Sequence, residues 1–207
     1  DLHSFPTRRS SDLWQTASCR VCLVEVKGWR RLAPSCATPV SEGMVVQTNT
    51  LRVINARRTV LELLLSDHPK DCLNCAKSGE CSLQDLAERL SIRSNRYDAG
   101  KKSLFVKDLS PAIERDITKC VMCRRCETMC NEVQTVGVLS GINRGFNSVV
   151  APAFEMPLED SVCTFCGQCV SVCPTGALVE RDFDWNVIEA LADPLPKIGR
   201  ASCRERV

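Results

Sequence analysis

Several features that are common in globular proteins are scarce in this sequence. Aromatic residues make up 5% of its 207 residues, and the formal net charge is only +2. The longest apolar run, residues 60–65, is interrupted by Glu62, whereas a membrane-spanning helix needs about 20 apolar residues. A charge so close to zero gives no electrostatic basis for a nucleic-acid partner. The sequence also contains no Gly-rich phosphate loop and no proton-transfer group with partners, so we expect no catalytic residue in this chain.

Cysteine, by contrast, is abundant. Fourteen of the 15 cysteines fall into four spaced groups, and Cys203 is the exception. Dense cysteine indicates either a secreted disulfide scaffold or a metal protein in a reducing compartment. Disulfide scaffolds spread their cysteines irregularly, whereas these recur at two-residue spacings with helix-like sequence between the groups. The pattern therefore favours metal binding and a cytoplasmic location.

The two ends of the chain can be encoded by the opposite strands of a single DNA segment. Residues 3–13 (HSFPTRRSSDL) can be encoded by one strand of a segment whose complementary strand encodes residues 198–207 (IGRASCRERV). That segment resembles a sequencing-library adapter, so we expect residues 1–13 and 198–207 to be adapter translations; a natural basic tail at each end is the alternative. The predicted natural segment, residues 14–197, has balanced charge, because the two ends carry five arginines and three acidic residues.

Two of the four cysteine groups repeat one spacing: Cys120-x2-Cys123-x2-Cys126-x3-Cys130 and Cys163-x2-Cys166-x2-Cys169-x3-Cys173-Pro174. Bacterial ferredoxins with two cubane clusters use this run, and the fourth cysteine of each run binds the other cluster. Zinc ribbons are the alternative, but zinc takes its four ligands as two separated pairs. We therefore predict one [4Fe–4S] cluster on Cys120, Cys123, Cys126 and Cys173, and a second on Cys163, Cys166, Cys169 and Cys130.

The third group combines His68 with Cys72, Cys75 and Cys81. A histidine before proline is more often a helix-end residue, but three cysteines follow this one and lack a fourth partner. We predict a third [4Fe–4S] cluster with one His and three Cys ligands. Because an imidazole replaces a charged thiolate, its reduction potential should lie above that of an all-Cys cluster.

The fourth group contains only three cysteines, Cys19, Cys22 and Cys36. A plant-type [2Fe–2S] loop of the kind found in large redox enzymes places another cysteine about twelve residues before the Cys-x2-Cys pair. Here that position is Thr7, inside the predicted adapter. We therefore predict an incomplete [2Fe–2S] site whose cluster is lost or impaired in this chain, with a zinc site on the same cysteines as the alternative.

Hydrophobic periodicity divides the chain between these groups. Residues 21–26 and 44–48 are predicted strands, with a turn at 27–29 and a loop at 33–39. An amphipathic helix should follow Thr50 and end at His68-Pro69, and a second should open at a capping box, residues 82–85. A short strand at 104–106 and a helix start at 184–192 complete the prediction.

The predicted fold class is α+β, in three iron–sulfur parts. They are a truncated β-grasp [2Fe–2S] ferredoxin domain (14–55), a small helical [4Fe–4S] domain with one His and three Cys ligands (56–98), and a ferredoxin-like domain with two [4Fe–4S] clusters (117–182). Residues 99–116 should form a connector, and residues 183–197 the start of a downstream domain. A chain with several redox clusters in series is suited to single-electron transfer.

The order of these groups resembles the N-terminal electron-relay region shared by iron-only hydrogenases, the large iron–sulfur subunit of NADH dehydrogenase and NAD-linked formate dehydrogenases. The phrases that carry the resemblance are CRVCLVEV (19–26), LLLSDHP (63–69), CTFCGQC (163–169) and VCPTGAL (172–178). NRGF (143–146) and EALADP (189–194) look most like the catalytic subunits of NAD(P)-linked iron-only hydrogenases. The resemblance covers essentially all of residues 14–197.

The resemblance implies a hydrogenase as the parent protein. The relay would pass electrons between a nicotinamide or ferredoxin pool and a hydrogen-cluster domain that lies beyond Lys197, so this chain would itself lack a catalytic centre. The implied partner is a ferredoxin or an NAD(P)H-oxidising flavoprotein subunit. The same relay in a formate dehydrogenase or NADH dehydrogenase is the alternative, and a zinc-stapled binding module is a distant one.

Overall fold

The computed structural model describes residues 16–97 and 108–181. Within these residues helices and short antiparallel strands are mixed, as an α+β protein requires. The regular elements are β1 (Leu23–Val26), β2 (Ala33–Pro34), β3 (Val46–Gln47), α1 (Leu51–Ser66), α2 (Ser82–Arg89), β4 (Asp108–Leu109), β5 (Ile113–Arg115), α3 (Arg125–Thr128), β6 (Ser140–Ile142), β7 (Val149–Ala151), α4 (Gln168–Val172) and β8 (Leu178–Glu180).

The first sheet has the strand order β2-β1-β3, and both pairings are antiparallel. Val24 and Val26 on β1 are buried, which agrees with the alternation of the sequence. After β1 the chain reverses at Gly28, whose φ of +87° suits glycine. The N–H of Trp29 donates to the carbonyl of Val26 at 3.0 Å. The predicted strands at 21–26 and 44–48 are therefore present in shortened form.

The predicted loop at 33–39 is wrong at its beginning. Ala33 pairs with Val24, and Pro34 pairs with Leu23. An edge strand tolerates proline because one side of it makes no ladder hydrogen bonds. The two prolines of this segment therefore did not exclude a strand.

Helix α1 starts and ends close to its predicted positions. Thr50 caps its N-terminus, since the Thr50 side chain accepts the N–H of Val53 at 3.3 Å. Val53 and Leu61 are completely buried along the predicted apolar face. The helix ends at Ser66, because the residue before a proline avoids helical backbone angles.

Helix α2 forms as predicted, but its predicted capping box is absent. Ser82 is the first helical residue, and the N-cap is Cys81, which makes no side-chain capping hydrogen bond. The Ser82 N–H instead donates to the carbonyl of Pro174 at 3.1 Å. A tertiary contact thus takes the place of the local cap.

The C-terminal part of the described chain contains a sheet of order β4-β5-β8 and a hairpin of β6 and β7. Residues 108–115, which the sequence places in a connector, form β4 and β5. Strand β5 pairs with β8 in the register Arg115↔Leu178. These residues thus belong to the sheet beside the cysteine runs, and the boundary of the connector at residue 116 stays a prediction.

The largest core lies between this sheet and the two cysteine runs. Buried residues that include Ile113, Leu139, Leu158 and Leu178 form its centre. Partly buried cysteines from both runs pack against it: Cys126, Cys130, Cys163 and Cys173. The core and the candidate metal sites therefore share side chains.

Some predictions fall outside the described residues, namely the strand at 104–106, the helix start at 184–192 and both predicted adapter segments. Among the residues that are described, we find no helix with the length and apolar composition needed to cross a membrane.

Candidate metal centres

The two cysteine runs fold alike. The second residue after the first cysteine of each run, Met122 or Phe165, has left-handed backbone with φ of +52°. Its N–H points at the first sulfur of its own run, 3.4 Å from Cys120 Sγ in one case and 3.5 Å from Cys163 Sγ in the other. The equal spacing in sequence therefore produces equal local loops.

Cysteines of both runs line a first cavity. They are Cys120, Cys123 and Cys126 of the first run together with Cys173 of the second, and the cavity lining is almost entirely apolar. Leu139, Val150 and Leu178 are among the apolar residues in its wall. We call these four cysteines thiol group 1. The structure thus brings together the residues predicted for one cubane.

The remaining four cysteines of the runs line a second cavity. Cys163, Cys166 and Cys169 come from the second run, and Cys130 comes from the first. Ile113 and Leu158 contribute to its apolar wall. We call this set thiol group 2. In both cavities the fourth cysteine of one run lies with the first three of the other run, as the crossing pattern predicts.

Burial strongly affects the thiols of both groups. Burial, with smaller effects of the neighbouring Cys120 and Cys173, raises the pKa of Cys123 to about 12. Burial likewise raises the pKa of Cys169 to about 12, with added effects of Cys163, Cys166 and Cys130. Such thiols resist ionisation unless positive charge is brought to them. An iron–sulfur core supplies that charge and takes thiolate ligands, so the donor set fits such a cluster.

A third cavity is lined by His68, Cys72, Cys75 and Cys81. The first two cysteines lie on one tight turn, because the N–H of Cys75 donates to the carbonyl of Cys72 at 3.2 Å. Cys81 is buried at the N-terminus of α2, and His68 follows the end of α1. The four predicted ligands of the His68 group therefore line one cavity, with His68 and Cys81 next to helix ends and Cys72 and Cys75 on the turn between the helices.

The His68 group meets thiol group 1 along residues 173–176. The carbonyl of Pro174, the residue after Cys173, lies 3.8 Å from Cys81 Sγ. A Cβ added at Gly176 would lie 2.6 Å from Cys75 Sγ, closer than real Cβ atoms approach. Thr175 is 1% exposed and donates its hydroxyl to the carbonyl of Lys119 at 2.9 Å. One short stretch of backbone thus separates the two groups.

Cys19, Cys22 and Cys36 also lie together, beside the first sheet. Burial raises the pKa of Cys36 to about 11, and Cys22 and Cys19 contribute to the increase. The N–H of Ser35 donates to the carbonyl of Cys22 at 3.1 Å, which fixes one loop on the other. The predicted position of a missing fourth ligand, Thr7, lies outside the described residues.

Across residues 16–97 and 108–181, no group of three His, Cys, Asp or Glu side chains converges enough to hold one metal ion. Two further features of the sites escaped sequence reasoning. These are the close approach of Gly176 to Cys75, and a buried ion pair of Arg115 and Asp108 beside the thiol groups. Gly176 belongs to the phrase VCPTGAL, whereas no local pattern signals the ion pair.

Three iron–sulfur family models match separate parts of the chain. The 2Fe-2S iron-sulfur cluster binding domain matches residues 2–51. The NADH-ubiquinone oxidoreductase-G iron-sulfur binding region matches residues 57–96, which contain the His68 group. The ferredoxin-like domain of NADH-quinone oxidoreductase subunit 3 matches residues 110–179, which contain both thiol groups. The chain therefore consists of 2Fe–2S-type and 4Fe–4S-type domains.

Several characterised proteins are similar to most of the chain. Subunit HndD of the NADP-reducing hydrogenase of Solidesulfovibrio fructosivorans is 72% identical over 180 residues, which are 87% of this chain and 31% of the relative. The G 2 component of the NADH-quinone oxidoreductase of Rhizobium meliloti is 44% identical over 79% of the chain and 19% of the relative. The alpha subunit of the NADPH-Fe(3+) oxidoreductase of Geobacter sulfurreducens is 34% identical over 81% of the chain and 20% of the relative. The chain thus spans less than a third of each.

One solved structure with a similar fold is that of an NAD+-reducing [NiFe]-hydrogenase in the H2-reduced state. Its superposition has a TM-score of 0.73, with 29% sequence identity. It covers 82% of this chain and 72% of the other. The fold of this chain thus also occurs in part of an NAD+-reducing [NiFe]-hydrogenase.

Proposed function

The chain is an iron–sulfur electron-transfer region of the type found in NADP-reducing hydrogenase subunit HndD and in NADH-quinone oxidoreductases, and we propose that its parent protein is an iron-only hydrogenase. In that protein the region would pass electrons between a nicotinamide or ferredoxin pool and a hydrogen-cluster domain. The 72% identity to a component of an NADP-reducing hydrogenase is the observation that carries this proposal.

A second candidate is the same relay in a formate dehydrogenase or in NADH dehydrogenase. The 44% identity to a component of an NADH-quinone oxidoreductase favours the NADH dehydrogenase form of this candidate. Both candidates assign the same role to the residues of this chain and differ in the domain to which the relay delivers electrons.

The proposed ligands are those of the four cysteine groups. Thiol group 1, thiol group 2 and the His68 group would each hold a [4Fe–4S] cluster, and Cys19, Cys22 and Cys36 would hold a [2Fe–2S] cluster in an intact β-grasp domain. When bound, these clusters supply one-electron exchange. The crossing arrangement of cysteines around two cavities supports the assignment of groups 1 and 2.

The protein's own contribution is to position and insulate these groups. The N–H groups of Met122 and Phe165 point at ligand sulfurs and would stabilise their negative charge. Apolar residues such as Leu139 in both walls lower the local polarity around the sulfurs, which strengthens such electrostatic effects. Residues 173–176 keep the His68 group close to thiol group 1, and this short separation suits electron transfer between them.

We further propose a cytoplasmic location, because thiolate ligands persist in a reducing compartment. The relatives are subunits of larger oxidoreductases. The proposed partner is accordingly a ferredoxin or an NAD(P)H-oxidising flavoprotein subunit.

The cluster content is tested by reconstituting the 207-residue chain with iron and sulfide under anaerobic conditions. Three [4Fe–4S] clusters predict about 12 iron and about 12 sulfide per chain, with electron paramagnetic resonance (EPR) signals after reduction. The variant Cys126→Ala should lose about four iron atoms. Cys203→Ala makes the same change outside the four groups and should lose none. A chain that takes up zinc in place of iron would instead support the zinc-stapled binding module.

The parent protein is tested by recovering the coding DNA beyond residue 197 from the same source, with adapters trimmed. Further cysteines of the hydrogen-cluster type are expected. A molybdopterin-type domain would instead assign the relay to a formate dehydrogenase or NADH dehydrogenase, and an early stop codon would leave a small electron carrier.

A further inference from the structure

A buried ion pair lies beside both thiol groups. Arg115 on β5 and Asp108 on β4 approach to 3.1 Å between Nε and Oδ2, and their side chains are 2% and 4% exposed. Asp108 Oδ2 also accepts the N–H of Leu158 at 2.9 Å, and Arg115 Nη2 donates to the carbonyl of Met156 at 3.4 Å. These hydrogen bonds to backbone groups hold the two side chains in fixed orientations within the core.

The two charges lie towards different thiol groups. Arg115 lines the cavity of thiol group 1. Asp108 is joined to thiol group 2 through a chain of hydrogen bonds. Asp108 accepts the N–H of Leu158. The Ser161 hydroxyl donates to the carbonyl of Leu158 at 2.7 Å and accepts the N–H of Cys163 at 3.3 Å.

We propose that the Arg115–Asp108 pair sets the reduction potential of the site on thiol group 1 above that of the site on thiol group 2. A cluster gains one negative charge when it is reduced, so a nearby cation favours its reduced form and a nearby anion favours its oxidised form. The pair is shielded from water, and its field is therefore weakly screened. With a cluster at each site, one electron would pass from the reduced site 2 to the oxidised site 1, and no other reactant would be needed.

This inference rests on the proposed function, because it requires a cluster at each thiol group. It goes beyond that function by assigning a direction to electron transfer between them. The charges that produce the direction come from residues that bind no metal. Arg115 and Asp108 would act through the electric field of their charges, without binding a cluster.

The test uses the full chain reconstituted anaerobically and a redox titration followed by EPR spectroscopy. The double variant Asp108→Asn/Arg115→Gln removes both charges and retains polar side chains of similar size. The potential of site 1 should fall and that of site 2 should rise. We expect the equilibrium constant for sharing an electron between them to change at least tenfold, which is about 59 mV for a one-electron couple. The variant Cys163→Ser assigns the signal of site 2.

The control is Glu25→Gln/Arg52→Gln, which makes similar changes in an ion pair of 3.2 Å on the first sheet and α1. It should leave both potentials unchanged. If the Asp108/Arg115 double variant does not fold, Asp108→Asn alone retains an acceptor for the N–H of Leu158 and should raise the potential of site 2 more than that of site 1. Intact signals with unmoved potentials would overturn the inference alone. Absence of iron–sulfur signals from the unmodified chain would overturn the proposed function and the inference together.

Discussion

Left-handed backbone recurs at equivalent residues of the two cysteine runs. Met122 and Phe165 both have φ of +52°, a conformation that costs a residue other than glycine about 1–2 kcal/mol. In each case the strained residue directs its N–H at a ligand sulfur. The conformation is therefore coupled to the sulfur, and a negatively charged sulfur offsets its cost.

At the same scale, Gly176 occupies a position where the structure leaves no room for a side chain. In the variant Gly176→Ala the new Cβ would lie 2.6 Å from Cys75 Sγ. We expect the His68 group to be displaced and the chain to lose about four of its iron atoms, with thiol group 2 unaffected. Iron and sulfide analysis with EPR spectra of the reconstituted chain measures the loss.

The matched control for this change is Gly141→Ala. The nearest atoms to its Cβ would be those of the Arg124 guanidinium, at 3.1 Å, the far end of a long side chain. Full iron content is expected in the control. If Gly176→Ala also retains full iron content, the backbone of residues 173–176 is not a tight spacer between the two groups.

At the scale of elements, α1 connects two candidate sites. Its first turn is tied to β1, because the Thr50 hydroxyl donates to Glu25 Oε2 at 2.6 Å. Along the helix, Arg57 Nε donates to the carbonyl of Leu23, beside Cys22, at 2.9 Å. Its C-terminal end leads directly to His68. The helix thus holds the first sheet and the His68 group in a fixed relation.

The N-cap of α1 provides a test at this scale. The variant Thr50→Ala removes the acceptor for the N–H of Val53 and the donor to Glu25. A lost cap costs about 1 kcal/mol, so hydrogen exchange in the first turn should become about fivefold faster. The control Thr59→Ala makes the same change within the helix, where alanine is favoured. Equal exchange rates in the two variants would contradict the capping role of Thr50.

At the scale of the whole molecule, the cysteines are part of the hydrophobic core. Ile113, Leu139, Leu158 and Leu178 pack against cysteines of both runs. The regular elements around this core are short: α3 has four residues and continues as a five-residue π-helix (Met129–Val133), and α4 has five residues. Elements of this length are marginal by themselves. We therefore infer that cluster binding supplies much of the folding free energy here.

Removal of iron tests this dependence. The metal-free chain should lack a cooperative unfolding transition in the His68 region and in the two-cluster region, because their cores are too small without a metal staple. Circular dichroism and urea titration of reconstituted and chelator-treated samples make the comparison. A metal-free sample that unfolds cooperatively would show that the apolar core suffices.

Much of the local organisation could be predicted because it depends on residues close together in sequence. The spacing of Cys120, Cys123 and Cys126 determines a tight loop, and the apolar period after Thr50 determines a helix. Strand β2 at Ala33–Pro34 could not be predicted, since it exists only by pairing with β1. The expected capping box failed for a similar reason, because Pro174 accepts the N–H of Ser82 from a distant part of the chain.

The sequence by itself therefore determined the kind of chemistry, namely soft thiolate donors at spacings typical of iron–sulfur clusters. The crossing of Cys130 and Cys173 between the runs was also a prediction from the pattern, and the structure places them in the corresponding cavities. Only the tertiary structure decided the close approach of Gly176 to Cys75 and the placement of Arg115 and Asp108 beside the thiol groups. Gly176 and Cys75 are far apart in sequence. Arg115 and Asp108 are paired on the neighbouring strands β5 and β4, and packing of their sheet against the cysteine runs, which no local spacing encodes, brings this pair to the thiol groups.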